Sequence, residues 1–448
     1  MESRRDFLIK MLAGSIVMLQ HDELMDIRPA KRSSHGTQCS LYRAINGSPA
    51  ENMVKVMDLM GGIEKIVGSE DVVVIKPNVQ WWNQGSPNLS ALKTFVGLVM
   101  DRPGGFRGEV IVAENCHRGN SPWESLSSGW ARTFAWNSDV QGVKNMNDLC
   151  AALKNSYGPR FSLVHWVDVC YSGRRVSSPA DGDGYVYCDG TEGTQLLSTN
   201  NGIEGNDFRE TIMTYPIFSS DRGTRIDFKN GIWKKGSYTD RPLRFITFSA
   251  LNHHSTYCGI TSTIKNYMGV TDLSGGPDPR NGGKLSGNFY NFHSFPFNNW
   301  APGPEAGMLG KAIGTFMRTI RRADLNITTA KWIGLSSRVD LPAAHTRTVL
   351  ACADPVALDY HAARYLLYPN SRLKVHDPDD VKGPFHSYLK NCAEECGGHL
   401  NEESVSVRSY DFAQQRFQKD DELIQFGETS WGSKFKPVMK YLYLRYFS

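Results

Sequence analysis

The sequence contains no long apolar run and no surplus of one charge. No stretch reaches the roughly 18 consecutive apolar residues of a membrane helix, which excludes a polytopic membrane protein. The 448 residues carry 50 basic and 46 acidic side chains, so the basic excess typical of a nucleic-acid-binding protein is absent. Repeats and low-complexity tracts are also missing, which excludes collagen-like and coiled-coil architectures. The chain is long enough to bury a large core.

The cysteines lack the spacing of a metal module. There are nine of them, and the closest pair, Cys392 and Cys396, has CxxxC rather than CxxC spacing. A ferredoxin-type iron–sulfur motif is therefore not expected. We interpret this pair as helix-face thiols or one local disulfide. The odd total leaves at least one thiol free or paired between molecules. No particular cofactor is implied, and a bound metal ion stays open.

The N-terminus resembles an export signal. The run Ser-Arg-Arg-Asp-Phe-Leu-Ile-Lys that begins at Ser3 is similar to the twin-arginine motif, and a short apolar stretch follows it. A basic head before a brief apolar region is typical of a targeting segment. We therefore expect residues 1–31 to be a signal, the translocation machinery to be a partner, and the protein to reside in the periplasm or cell envelope. Cleavage and retention of the signal both stay open.

The apolar runs predict an α/β fold. Short β-branched runs near residues 72 and 110 flank a helical pattern, which is typical of parallel strands buried on both faces. Further runs near residues 245, 325 and 348 complete a mainly parallel, doubly wound sheet with helices on both faces. We expect a single domain over residues 32–448. A large irregular insertion at about 117–240 should lie outside the sheet, and 366–448 is a C-terminal extension.

Three sequence blocks carry a resemblance to a known family. Val74–Asn78 ends the first strand, His253 and His254 lie eleven to twelve residues before Lys265, and Ala353–Asp359 opens a late helix. In order and spacing these blocks resemble domain-of-unknown-function family 362, over roughly residues 70–365. His293 is similar to a further landmark of that family. The resemblance implies the fold and a site, but no established reaction.

The same blocks supply the candidate site. In a doubly wound sheet, ligands bind outside the carboxyl ends of the strands, where these polar residues lie. The predicted acid–base residues are Lys265, His254 and His293. The predicted substrate-binding residues are Lys76, Asn78, Asn266, Asp354 and Asp359. His253 and His254 are the candidate metal ligands, and the segment 259–263 is a candidate anion cradle. Two lysines in one crevice would lower each other's pKa.

Structural roles compete with these assignments. Adjacent strand residues such as His253 and His254 point to opposite faces, and Asp354 before a proline is a typical helix N-cap. Asp359 is placed to pair with Arg364, and Lys76 could face solvent. The arrangement is also loosely similar to the nickel-pincer lactate racemases, although His293 lies too far along the chain.

Two functions therefore stay open. The favoured one is an exported enzyme that acts on a small anionic or hydroxylated substrate through a Lys/His/Asn site. The alternative is a non-catalytic periplasmic protein that binds an anion or a metal.

Overall fold

The structure is a computed structural model. It describes residues 39–115, 128–133, 136–171, 175–191, 193–200, 210–254, 258–273, 277–278, 284–285, 292 and 307–431. All of them belong to the unit Ser34–Ser448. The predicted signal and His293 lie outside the described residues.

The described strands are β1 Cys39–Ile45, β2 Val72–Pro77, β3 Glu109–Glu114, β4 Phe161–His165, β5 Gly184–Tyr187, β6 Ser198–Asn200, β7 Glu210–Ile212, β8 Thr214–Ser219, β9 Arg225–Asp227, β10 Gly231–Lys234, β11 Ser237–Tyr238, β12 Leu243–His253, β13 Ile260–Thr261, β14 Pro277–Asp278, β15 Lys284–Leu285, β16 Leu325–Gly334, β17 Ala343–Cys352, β18 Val405–Asp411, β19 Arg416–Phe417 and β20 Glu428–Ser430.

The described α-helices are α1 Pro49–Leu59, α2 Leu89–Met100, α3 Met146–Tyr157, α4 Trp166–Tyr171, α5 Thr263–Asn266, α6 Met308–Thr319, α7 Pro355–Ala362, α8 Tyr368–Ser371 and α9 Pro384–Cys396. A π-helical turn, Ala363–Leu367, continues α7. Single 3-10 turns lie at Ile63–Lys65, Asn83–Gly85, Gly158–Arg160, Pro179–Asp181, Tyr267–Gly269, Lys374–His376, Glu402–Ser404 and Asp420–Glu422. No helix in the described part of the chain has both the length and the apolar character needed to cross a bilayer.

A large mixed sheet confirms the α/β prediction. Its strand order is β19-β18-β1-β17-β16-β12-β2-β3-β4, with β13 beside β12 and β20 beside β17. The strands from β16 to β4 in this order all run parallel. Their carboxyl ends therefore meet at one edge, as the sequence predicts for a binding site.

One detail of the fold prediction, the position of β4, is wrong, and two features of the sheet were not predicted. The strand near residue 348, β17, runs antiparallel to both β16 and β1. The strand β4 lies within the expected insertion, yet it forms the edge of the main sheet. The C-terminal extension also joins this sheet, because β18 pairs in parallel with β1. Strand partners depend on contacts far apart in the chain, which local apolar patterns do not specify.

The other described strands of the insertion form sheets of their own. A five-stranded antiparallel sheet has the order β11-β10-β9-β8-β5, and β6 pairs with β7. This part of the prediction is confirmed for the described residues.

Both faces of the main sheet are buried, as the continuous apolar strands predict. Along β2, Val72 and Val74 contribute to one core, and Val73 and Ile75 contribute to the other. The helices α1, α2 and α3 cover the second face, while α5, α6, α7 and α9 cover the first. Successive strand side chains point to opposite faces, so an apolar run without alternation needs a layer on each side.

Candidate functional site

Lys76 lies in a buried polar network at the ends of β2 and β3. Its side chain is 2% exposed, and Nζ donates to Asn266 Oδ1 at 2.7 Å, to the Pro77 carbonyl at 3.0 Å and to Glu114 Oε1 at 3.1 Å. Three protein acceptors match the three donors of an ammonium group. We therefore correct the expected role of Lys76 from substrate ligand to structural support of the site.

Glu114 is the anionic partner in this network. Its carboxylate also accepts hydrogen bonds from the Val79 amide, at 2.9 and 3.0 Å, and from the Trp130 indole at 2.9 Å. Burial raises the pKa of Glu114, and the charge of Lys76 and these hydrogen bonds oppose the shift. The competing interpretation, in which Lys76 faces solvent at the end of the strand, is also wrong, because its side chain is almost unexposed.

The two asparagines join neighbouring segments at the strand ends. Asn266 Nδ2 donates to the Lys76 carbonyl at 2.8 Å, so the end of α5 is fixed to β2. Asn78 Oδ1 accepts from the Ala250 amide at 3.0 Å, where the pairing of β12 with β16 shifts register. The predicted convergence of Lys76 and Asn266 is therefore present, as an internal contact of the protein.

Both predicted aspartates cap helices. Asp354 Oδ1 accepts from the Val356 and Ala357 amides at the start of α7, which is the competing N-cap role. Asp359 accepts from the Thr263 and Ile264 amides at 2.9 and 3.0 Å. The predicted anion cradle thus holds a carboxylate of the chain itself. We correct Asp359 from substrate ligand to helix cap, and it does not pair with Arg364, whose partners are Asp379 and Glu402.

The adjacent histidines point to different partners. A hydrogen bond of 2.9 Å joins His253 Nδ1 to His376 Nε2, and His376 Nδ1 lies 2.6 Å from the Ser371 hydroxyl. Burial lowers the pKa of His253 to about 4, and the charge of Arg338 acts in the same direction. His253 therefore stays neutral near pH 7.

His254 contacts Arg338. Arg338 Nη1 donates to His254 Nδ1 at 2.9 Å. A guanidinium can only donate, so this ring accepts at Nδ1 and carries its proton at Nε2. His253 and His254 do not converge on one ligand position, and the predicted pair of metal ligands is corrected. Among the described residues, the group with metal-ligating geometry is instead Cys39, Asp354 and His399.

Lys265 is the predicted catalytic residue whose surroundings fit the role best. The side chain is half-buried, and Nζ lies 2.8 Å from Met268 Sδ. Burial lowers the pKa of Lys265, Cys258 opposes the shift, and the positive charge of Arg338 lowers the pKa further. Arg338 is therefore the cation that lowers the pKa of Lys265, a role that the sequence analysis expected of Lys76. No carboxylate within the described residues forms an ion pair with Lys265, whose Nζ contacts Met268.

Arg338 is a site residue that sequence reasoning missed. It lies in the loop between β16 and β17, and its guanidinium lies 4.3 Å from the centre of the Trp81 ring. The side-chain amides of Asn83 and Gln84 donate to the Val339 and Asp340 carbonyls at 3.0 and 2.9 Å, which holds this loop against the 3-10 turn after β2. No local motif marks such an arginine, because its position depends on a contact between segments some 250 residues apart.

We call Lys265, Arg338 and His254 the basic cluster. Its members follow β12 and β16, which are parallel neighbours, and α5 begins beside them. Two cations next to a neutral imidazole form a setting in which an anion binds favourably and a proton can move.

No protein-family model, curated protein or solved structure matches the chain. The resemblance to family 362 therefore depends on the three sequence blocks alone and stays a prediction.

Proposed function

We propose that this protein is an exported enzyme that acts on a small anionic substrate bound at the basic cluster. The observation that carries the proposal is Lys265, a half-buried amine close to a second cation and without a carboxylate partner among the described residues. Two neighbouring cations repel each other, and either loss of the lysine proton or a bound anion relieves the repulsion. Arg338 would hold the anion, and Lys265 would transfer a proton to or from it.

The proposal gives each side chain a separate task. A lysine with a lowered pKa has more of its neutral amine near pH 7, which is what a general base needs. A guanidinium stays charged and offers a planar fork of donors that fits a carboxylate or a phosphate. His254 would supply a second proton-transfer group. The Lys76–Asn266 contact fixes the end of α5, and with it the position of Lys265.

The first prediction concerns the pKa of Lys265. After reductive methylation with ¹³C-formaldehyde, we expect one dimethyl-lysine resonance to titrate below the others, and Lys265→Ala to remove it. The exposed Lys311 provides the matched control, because Lys311→Ala should retain that resonance. Phosphate, citrate or lactate should raise the pKa, since an anion favours the charged amine. An unperturbed set of lysine pKa values, or no response to any anion, would contradict the proposal.

The same panel of anions separates an enzyme from a binding protein. For an anion that binds, Arg338→Ala should weaken affinity on the order of 10- to 100-fold through loss of a charge-assisted hydrogen bond. Lys265→Ala should weaken affinity less than Arg338→Ala does and lower turnover of the related substrate by roughly 10²–10⁴-fold. If Lys265→Ala removed affinity and no anion of the panel were converted, the non-catalytic alternative would be favoured.

Export is a separate proposal, based on the Arg4–Arg5 pair. We expect the double variant Arg4→Lys/Arg5→Lys to accumulate in the cytoplasm, measured by fractionation of a bacterial host that has the twin-arginine pathway. Arg28→Lys/Arg32→Lys is the matched control, because it makes the same chemical change outside the motif and should be exported normally. Undiminished export of the Arg4/Arg5 variant would refute this route.

A further inference from the structure

A second group of chemically reactive side chains lies away from the basic cluster. Cys39 is the first residue of β1, and Cys352 is the last residue of the neighbouring strand β17. Their sulfur atoms are 3.3 Å apart. Cys39 Sγ, a carboxylate oxygen of Asp354 and a ring nitrogen of His399 all lie within 4.8 Å of one another.

We propose that this group binds one divalent metal ion of the zinc class, with Cys39, Asp354 and His399 as ligands and a water molecule as the fourth. Zn²⁺ prefers four ligands drawn from thiolate, imidazole and carboxylate. At ordinary Zn–S and Zn–N distances, neighbouring ligand atoms in a tetrahedral site are roughly 3.3–3.8 Å apart. The ligand atoms of Cys39, Asp354 and His399 lie within 4.8 Å of one another, which is close to this spacing. The proposal does not depend on Lys265 or on the proposed reaction.

Backbone contacts orient two of the ligands in advance. Asp354 Oδ1 holds the α7 amides, while Oδ2 accepts from the His399 backbone amide at 2.8 Å and lies 2.7 Å from His399 Nδ1. One carboxylate oxygen is thus fixed by the helix, and the other faces the imidazole. The backbone contacts hold the Asp354 and His399 side chains in place. The contact between Oδ2 and Nδ1 is a hydrogen bond, and a metal bound through Nδ1 would displace its proton.

The charge of the group favours a cation. The Cys39 thiolate and the Asp354 carboxylate would carry two negative charges, which are partly offset by Arg322, whose Nη2 lies 3.8 Å from Asp354 Oδ1. Asp354 is 4% exposed and Cys352 is buried, whereas the His399 side chain is 32% exposed. An ion could therefore enter from the His399 side and then be largely shielded from water.

The proposed ion would join distant parts of the chain. Cys39 belongs to the first described strand, Asp354 is the N-cap of α7, and His399 belongs to the segment after α9. A metal held by these three segments would stabilise the junction between β1 and the C-terminal strands. Binding to the folded state alone raises the unfolding temperature by mass action.

The test uses the full chain, prepared under reducing conditions and stripped with a chelator. Titration with Co²⁺ should give a thiolate-to-cobalt charge-transfer band that saturates at one ion per chain, and Zn²⁺ should displace it. Cys39→Ser and His399→Ala should each lose the band or weaken Co²⁺ binding by on the order of 100-fold, as removal of a ligand requires. Zn²⁺ should raise the melting temperature of the wild type but not that of these two variants.

Cys396→Ser is the matched control. This thiol is also half-buried and lies close in sequence to His399, but it is not part of the group, so its variant should retain the band. His399→Ala keeps the test informative if Cys39→Ser fails to fold, because the histidine is partly exposed. A missing band in the wild type, or a band that survives both ligand variants, would overturn the proposal. So would a Cys39–Cys352 disulfide in the reduced preparation, detected by mass spectrometry.

Discussion

Lys76→Met should lower the free energy of unfolding by about 3–5 kcal/mol, the cost of removing one partner of a buried ion pair. Methionine has a similar length and is apolar, so the variant leaves the Glu114 carboxyl group almost unexposed and without its cation. The Val79 amide and the Trp130 indole remain as donors to Glu114, but neither carries a full charge. Urea unfolding at neutral pH measures the loss.

The double variant Lys76→Met/Glu114→Gln tests the cause. Glutamine keeps one carbonyl oxygen for Val79 and Trp130 and removes the buried charge, so much of the lost stability should return. Lys93→Met, an exposed change on α2, is the matched control and should stay close to the wild type. A single variant that lost less than about 1 kcal/mol would be typical of a solvent-exposed pair and would contradict the buried network.

Asp359 should make the protein less stable as the pH rises from about 4 to about 7. Burial raises the pKa of this carboxyl from 3.8 to about 7, Asp354 adds to the shift, and hydrogen bonds from Ile264, Ser262 and Thr263 oppose it. Between these values the folded state binds the proton and the unfolded state does not. The contribution of this proton to the free energy of unfolding is complete below about pH 4 and is lost as the pH rises to about 7. Three pKa units correspond to about 4 kcal/mol.

Asp359→Asn isolates this contribution. The amide cannot ionise, so the difference in unfolding free energy between wild type and variant should change by up to about 4 kcal/mol across the same pH range. Denaturant unfolding at a series of pH values measures it. Asp58→Asn, at an exposed position on α1, controls for the change in net charge. A difference that stayed constant with pH would show that Asp359 does not bind the proton on folding.

The strands were the most predictable part of this fold. The runs that begin at Val72 and Glu109 are apolar without interruption, and each became a strand with a core on both faces. The direction of β17 was not predictable, because a continuous apolar run does not show whether a strand pairs parallel or antiparallel with its neighbours. The position of β4 in the main sheet was not predictable either, because its partner β3 lies about 50 residues earlier in the chain.

The sequence predicted which residues lie near the candidate site, but it predicted their roles less well. Lys76, Asn266 and Asp359 do lie at the carboxyl ends of the parallel strands or beside them, which the apolar runs and their polar endings indicated. Their side chains, however, bond to one another and to backbone amides. Sequence spacing places a polar group near the sheet edge, but it does not show whether the partner is a ligand or another part of the chain.

By itself, the sequence determined the α/β class, the parallel strands, the helix cap at Asp354, and the edge of the sheet at which polar groups lie. These features follow from local periodicity and capping chemistry, which act within a few residues. Only the tertiary structure decided that Glu114 neutralises Lys76, that Arg338 is the cation beside Lys265, and that Cys39 lies next to Cys352. The physical reason is that charge, burial and pKa depend on neighbours in space, and these come from segments up to about 300 residues apart.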